Sequence, residues 1–119
     1  MNVDYEINKV VEGMKKDSKK IRAASESKRW LVRKAFPAVK EHFPEAKMIE
    51  CAGMVYLLVR KEQEEKLCEI LRKKKQEYEE MVNTGKYDVF NDEAIAKEKI
   101  MEITKTLEEL GGENAETNL

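Results

Sequence analysis

Only three side chains in this sequence offer an imidazole or a thiol, namely His42, Cys51 and Cys68. A structural zinc site needs four ligands, usually with a short Cys-Cys or His-His spacing, and no two of these residues are close in sequence. No metal and no cofactor is therefore expected. A small secreted fold would be stapled by more cysteines, so both thiols are expected to be reduced and to pack as small hydrophobes. His42 falls at the carboxyl end of a helical pattern, where a positive charge opposes the helix dipole.

Carboxylate chemistry fares no better. A magnesium-dependent nuclease draws converging carboxylates from strands or their ends. Glu50 is the one acid inside a predicted strand, and no lysine follows two residues later. An exposed glutamate that discourages unwanted strand pairing is the simpler reading. A nucleophile elbow, a phosphate-cradling glycine loop and a helix-borne His-Glu-His arrangement are all missing from the sequence. The expectation is a protein without catalytic activity.

Charge placement is more informative. The net charge is −1, yet residues 1–75 hold 19 Lys/Arg against 12 Asp/Glu, while residues 76–119 hold 4 against 12. In the basic part, Lys15, Lys19, Arg22, Arg29, Arg33 and Lys40 recur at helical spacing, interrupted by Glu26, with Trp30 nearby. Such a stripe could track phosphates while the indole stacks on a base. The chain as a whole lacks the basicity of a nucleic-acid binder, so solvated helix faces are the first reading and nucleic-acid binding the alternative. In the acidic part, Glu77 and Glu80 precede a loop holding Tyr87, Asp88 and Phe90, whose aromatics could anchor a protein interface. The leading expectation is a regulatory or adaptor-like protein that occupies a surface of a protein partner.

The element that must position these groups is Met54-Val55-Tyr56-Leu57-Leu58-Val59, the one long unbroken apolar run. Its length, its β-branched and aromatic content and the preceding Gly53 suit a strand buried on both faces. Met48 to Cys51 forms a second strand, and the spacing predicts a β-hairpin over about residues 48–60 with Ala52-Gly53 at its turn. A lone hairpin is marginal in water and needs helices to cover it.

Helical patterns surround the hairpin. Val3, Ile7, Val10, Met14, Ile21 and Ala24 follow an a/d spacing, interrupted at one position by Asp17, that predicts one helix over 3–24 with Gly13 inside it. The same register continues to Phe43, either unbroken or restarted with Ser27 as cap. Pro37 should bend or restart this second segment and Pro44 should end it. Leu67, Leu71, Tyr78 and Met81 predict a helix over 61–83 that stops at Gly85. Asn91 is expected to cap a last helix through Leu110, with Phe90 and Ile95 as its hydrophobic staple.

A helix followed by a hairpin also matches part of a winged helix, but that unit needs a compact three-helix set with short turns. The reading is α+β, mainly α, with three to four long amphipathic helices and the hairpin between the second and third. Residues 1–112 are expected to form one domain and 113–119 a disordered tail. The long seams on helices 3–24 and 61–83 imply a homodimer. With no run near the ~20 apolar residues of a membrane span, a soluble cytoplasmic protein is expected.

Overall fold

The computed structural model describes residues 2–111, so the disordered tail expected at 113–119 lies outside the described residues. The fold is mainly α with one small antiparallel sheet, in the order α1 (Val3–Lys16), β1 (Arg22–Ala24), α2 (Arg29–His42), β2 (Lys47–Cys51), β3 (Met54–Leu58), α3 (Gln63–Thr84) and α4 (Glu93–Glu109). These elements divide into two compact units, residues 1–64 and 65–119.

In the first unit the expected hairpin forms, with Met48 opposite Leu57 and Cys51 opposite Met54. Its turn places both Ala52 (φ 51°) and Gly53 (φ 82°) in the left-handed region, the signature of the tight turn that matches strand twist. Glycine adopts this conformation without cost, whereas alanine does so only under strain. Every residue from Val55 to Val59 is buried, as a strand covered on both faces requires. Cys51 and Ala52 are buried as well, so the turn does not protrude as a wing.

Helix 3–24 is not what folds. Helix α1 stops at Lys16, and Arg22-Ala23-Ala24 becomes a third strand opposite Leu57, Tyr56 and Val55, giving the sheet order β1-β3-β2. Asp17-Ser18 opens the break, since short polar side chains compete with the helical backbone for hydrogen bonds. Pairing with β3 then overrides the helical preference of Arg-Ala-Ala. One core gathers Val10, Val11 and Met14 of α1, Leu31, Val32, Ala35 and Val39 of α2, Val55 and Leu57 of the central strand, and Val59 just beyond it.

Buried Gln63 closes the unit. Its Oε1 accepts from the amides of Val59 (2.8 Å) and Arg60 (3.0 Å), and its Nε2 donates to the Ser18 carbonyl (3.0 Å). Arg60 adds a bond from Nη2 to Ser18 Oγ at 2.8 Å. The turn after α1 is thereby tied to the end of the sheet.

Two further expectations are corrected here. Ser27 does not cap α2: Lys28 holds that position without a side-chain bond, and the Ser25 carbonyl accepts from the Lys28 and Arg29 amides. Of the two outcomes expected at Pro37, a bend or a restart, the restart does not occur: α2 runs through it, with the proline on its exposed side.

In the second unit, α3 buries Leu67, Cys68 and Leu71, while α4 buries Ala96, Ile103 and Leu107 at helical spacing. Tyr78, Met81 and Val82 are only half-buried. Across the helix pair, Lys99 Nζ lies 5.2 Å from the centre of the Tyr78 ring, a cation–π contact. Among the described residues, no helix is long and apolar enough to cross a membrane.

Candidate functional site

The connection between α3 and α4 is built from one carboxylate. Helix α3 ends at Gly85, and the chain turns at Asp88, whose Oδ1 accepts from the Phe90 amide (2.8 Å), the Asn91 amide (2.8 Å) and Asn91 Nδ2 (3.0 Å). An aspartate that accepts from amides two and three residues ahead mimics a backbone turn and fixes the loop. The Phe90 amide bond is the largest influence on Asp88 and holds its carboxyl below the usual carboxylate range; desolvation opposes it, and Asn91 and the positive charge of Lys99 act with it, each by less.

Asn91 carries the linkage onward. Its Oδ1 accepts from Lys99 Nζ at 2.6 Å, the same ammonium that faces Tyr78. The chain Asp88, Asn91, Lys99, Tyr78 thus joins the loop to both helices of this unit. Asn91 was expected to cap α4, but it is buried, and Asp92 performs that task by accepting from the Ile95 amide at 2.8 Å. The Asp-x-x-Asn spacing at 88 and 91 was the available signal for the turn. Nearby, Glu93 raises the Lys97 pKa through an ion pair of 2.8 Å.

This turn presents its apolar residues to solvent. Val89 is 92% exposed and Phe90 78%. The staple expected between Phe90 and Ile95 is therefore absent, because the cap sits one residue later and places Asn91 and Ala96 at the staple positions. Val89 and Phe90 are adjacent in the chain and are the most exposed large apolar side chains among the described residues, on a turn that Asp88 holds in place. Tyr87 is half-buried, and Asp88 itself is exposed. Immediately upstream, Glu77 and Glu80 on the last turns of α3 line a shallow depression with Met81, Thr84 and Lys86. The five residues expected at a partner surface, Glu77, Glu80, Tyr87, Asp88 and Phe90, thus lie on one stretch of chain around the end of α3.

The cationic residues are distributed differently from the helical stripe. Lys15 sits on α1 in an ion pair with Glu12 (3.2 Å), Lys19 is in the turn, Arg22 is on β1, and Arg29, Trp30, Arg33 and Lys40 are on α2. Arg33 binds Glu50 on β2, with Nε to Oε1 at 2.9 Å, and this hydrogen bond raises the guanidinium pKa further. Trp30 Nε1 donates to the Ser27 carbonyl (3.1 Å), and Lys40 lies over the Phe36 ring. The break at Asp17 removes the common helix face. A separate group of cations, Lys9, Lys20, Arg22 and Lys28, meets at a depression beside β1; of these, only Arg22 belonged to the stripe.

Among the described residues, no cluster of three or more His, Cys, Asp or Glu is arranged to hold a metal ion. Comparison with protein-family models, with curated proteins and with solved structures finds no match to this chain.

Proposed function

We propose that this protein is a non-catalytic regulator that occupies a surface of a protein partner, with the loop at Tyr87–Phe90 as its anchor and the acidic end of α3 as its rim. The observation that carries this reading is the exposure of Val89 and Phe90 on a turn whose conformation Asp88 fixes in advance. Pre-ordering reduces the entropy lost on association, and a central apolar anchor with a charged rim is the usual anatomy of a binding hot spot. Glu77, Glu80 and Asp88 favour a partner with an apolar recess surrounded by basic residues, where complementary charge speeds encounter.

Nucleic-acid binding through Arg22, Arg29, Arg33 and their neighbours is the alternative. Self-association has less to draw on than the long seams implied, because α1 is short and its apolar face is covered within the first unit.

Affinity recovery from the native host, with the full chain as bait, tests the reading. A stoichiometric protein retained by the wild type and lost with Phe90→Ala is the expected result. Recovery that nuclease treatment abolishes, or that Phe90→Ala leaves unchanged, overturns it.

A further inference from the structure

The first unit carries a second recognition feature, at the open edge of its sheet. Strand β3 occupies one edge of β1, and no turn or cap hydrogen bond among the described residues involves the main chain of residues 21–24 on the other. An antiparallel edge strand turns the N–H and C=O of every second residue outward. Beside β1 lies a depression of about 650 Å³ lined by all of residues 20–25. Successive side chains of a strand point to opposite faces, so a surface shared by consecutive residues runs along the strand's edge rather than over either face.

The opposite wall is one stripe of α1, in which Glu6, Lys9, Gly13 and Asp17 alternate with buried Val10 and Met14. Lys28, at the start of α2, closes the end. Arg22 reaches across to α1, where its Nη1 lies 3.7 Å from the position a Cβ on Gly13 would take. Lys9, Lys20, Arg22 and Lys28 form no ion pair among the described residues, and Lys9 Nζ lies over the Tyr5 ring at 5.7 Å.

We infer that this groove accepts an extended acidic peptide segment as a fourth strand on β1, its backbone paired to the open edge and its carboxylates set against Lys9, Lys20, Arg22 and Lys28. Strand addition at a free edge derives affinity from main-chain bonds and specificity from alternate side chains. The guanidinium of Arg22 supplies the fork geometry that a carboxylate matches. A second copy of this chain fits less well, because antiparallel pairing of two β1 strands brings the Lys20 and Arg22 of both copies into one groove, where like charges repel. A phosphate backbone is disfavoured because it has no strand hydrogen bonds to offer the open edge.

The test is a titration of the full ¹⁵N-labelled chain with a capped heptapeptide of alternating glutamate and valine, followed by amide shifts. Saturable shifts confined to residues 20–25 and the facing side of α1 are expected. Arg22→Glu and Lys28→Glu should each weaken binding at least ~10-fold while Arg22→Lys retains most of it, as for charges that pair across an interface. Thermal unfolding of each variant separates a lost contact from a lost fold, and two variants on different walls guard against one failing to fold. Equal binding of the lysine–valine counterpart, equal shifts from oligothymidylate, absence of shifts at millimolar peptide, or a sedimenting dimer that Arg22→Glu dissociates would each overturn the inference.

Discussion

Gln63 and Ser18, 45 positions apart in the chain, are joined through the Gln63 Nε2 and the Ser18 carbonyl at 3.0 Å. The glutamine is 1% exposed and uses both ends of its amide, with two backbone N–H groups on Oε1. Removing it leaves the buried Val59 amide and the Ser18 carbonyl without their partner. Gln63→Ala should destabilise the first unit by about 1–3 kcal/mol, the cost of a buried group left unsatisfied, as measured by urea unfolding. Gln63→Glu should cost more at neutral pH than at acid pH, because an ionised carboxylate cannot donate to Ser18.

Two glycines make opposite predictions. At Gly53 an added Cβ meets open space, so only backbone conformation opposes it, and Gly53→Ala should cost about 1–2 kcal/mol. At Gly13, within α1, the added Cβ makes ordinary contact with Arg22 at 3.7 Å. Gly13→Ala should therefore raise stability by about 0.5–1 kcal/mol through helix propensity. Thermal or denaturant midpoints of the two variants should move in opposite directions.

Asp88 provides a pH prediction. Its folded pKa is lowered by the amide bonds it accepts. A depressed pKa means that the carboxylate's contribution is fully present above the unfolded value and is lost as pH falls through the lower, folded value. The Phe90 and Asn91 amides should keep their native chemical shifts through the ordinary aspartate range and move only at lower pH. Asp88→Ala should abolish this titration and raise hydrogen exchange at both amides.

Val89→Ser and Phe90→Ala should change stability by no more than about 0.5 kcal/mol, because substitutions at exposed positions away from caps and networks are nearly neutral. The same variants should lose the protein partner. A large loss of stability would instead assign Phe90 to packing.

What the sequence disclosed follows the strength of its local patterns. The hairpin was legible because an apolar run too short for a helix is preceded by Gly53 and closed by the charged Arg60-Lys61, and α3 and α4 because their spacing repeats over many turns. Strand β1 was hidden: Ile21 and Ala24 happen to continue the a/d phase of α1, and only long-range pairing with β3 distinguishes strand from helix there. The caps of α2 and α4 were each misplaced by one residue, since Ser27 and Asn91 have the chemistry of caps but not the local backbone. At the candidate site, the aromatic loop was legible as a loop, but Phe90, offered both as an interface anchor and as a staple, is not a staple, because the turn organised by Asp88 moves the cap to Asp92. The cationic groove was not foreseen, because its members come from α1, β1 and α2 and share no sequence period.

The pairing of Arg22 with Leu57 and Ala24 with Val55 also sets an order of assembly. The two-residue hairpin between β2 and β3 closes over a short loop, whereas β1 must wait for that template and then pay the entropy of closing a long one. Without that template, residues 3–24 have only an a/d spacing that Asp17 interrupts, at the point where α1 ends. A chain lacking residues 54–58 therefore has no template on which residues 22–24 can become a strand, since β3 is the only neighbour β1 has in the sheet among the described residues.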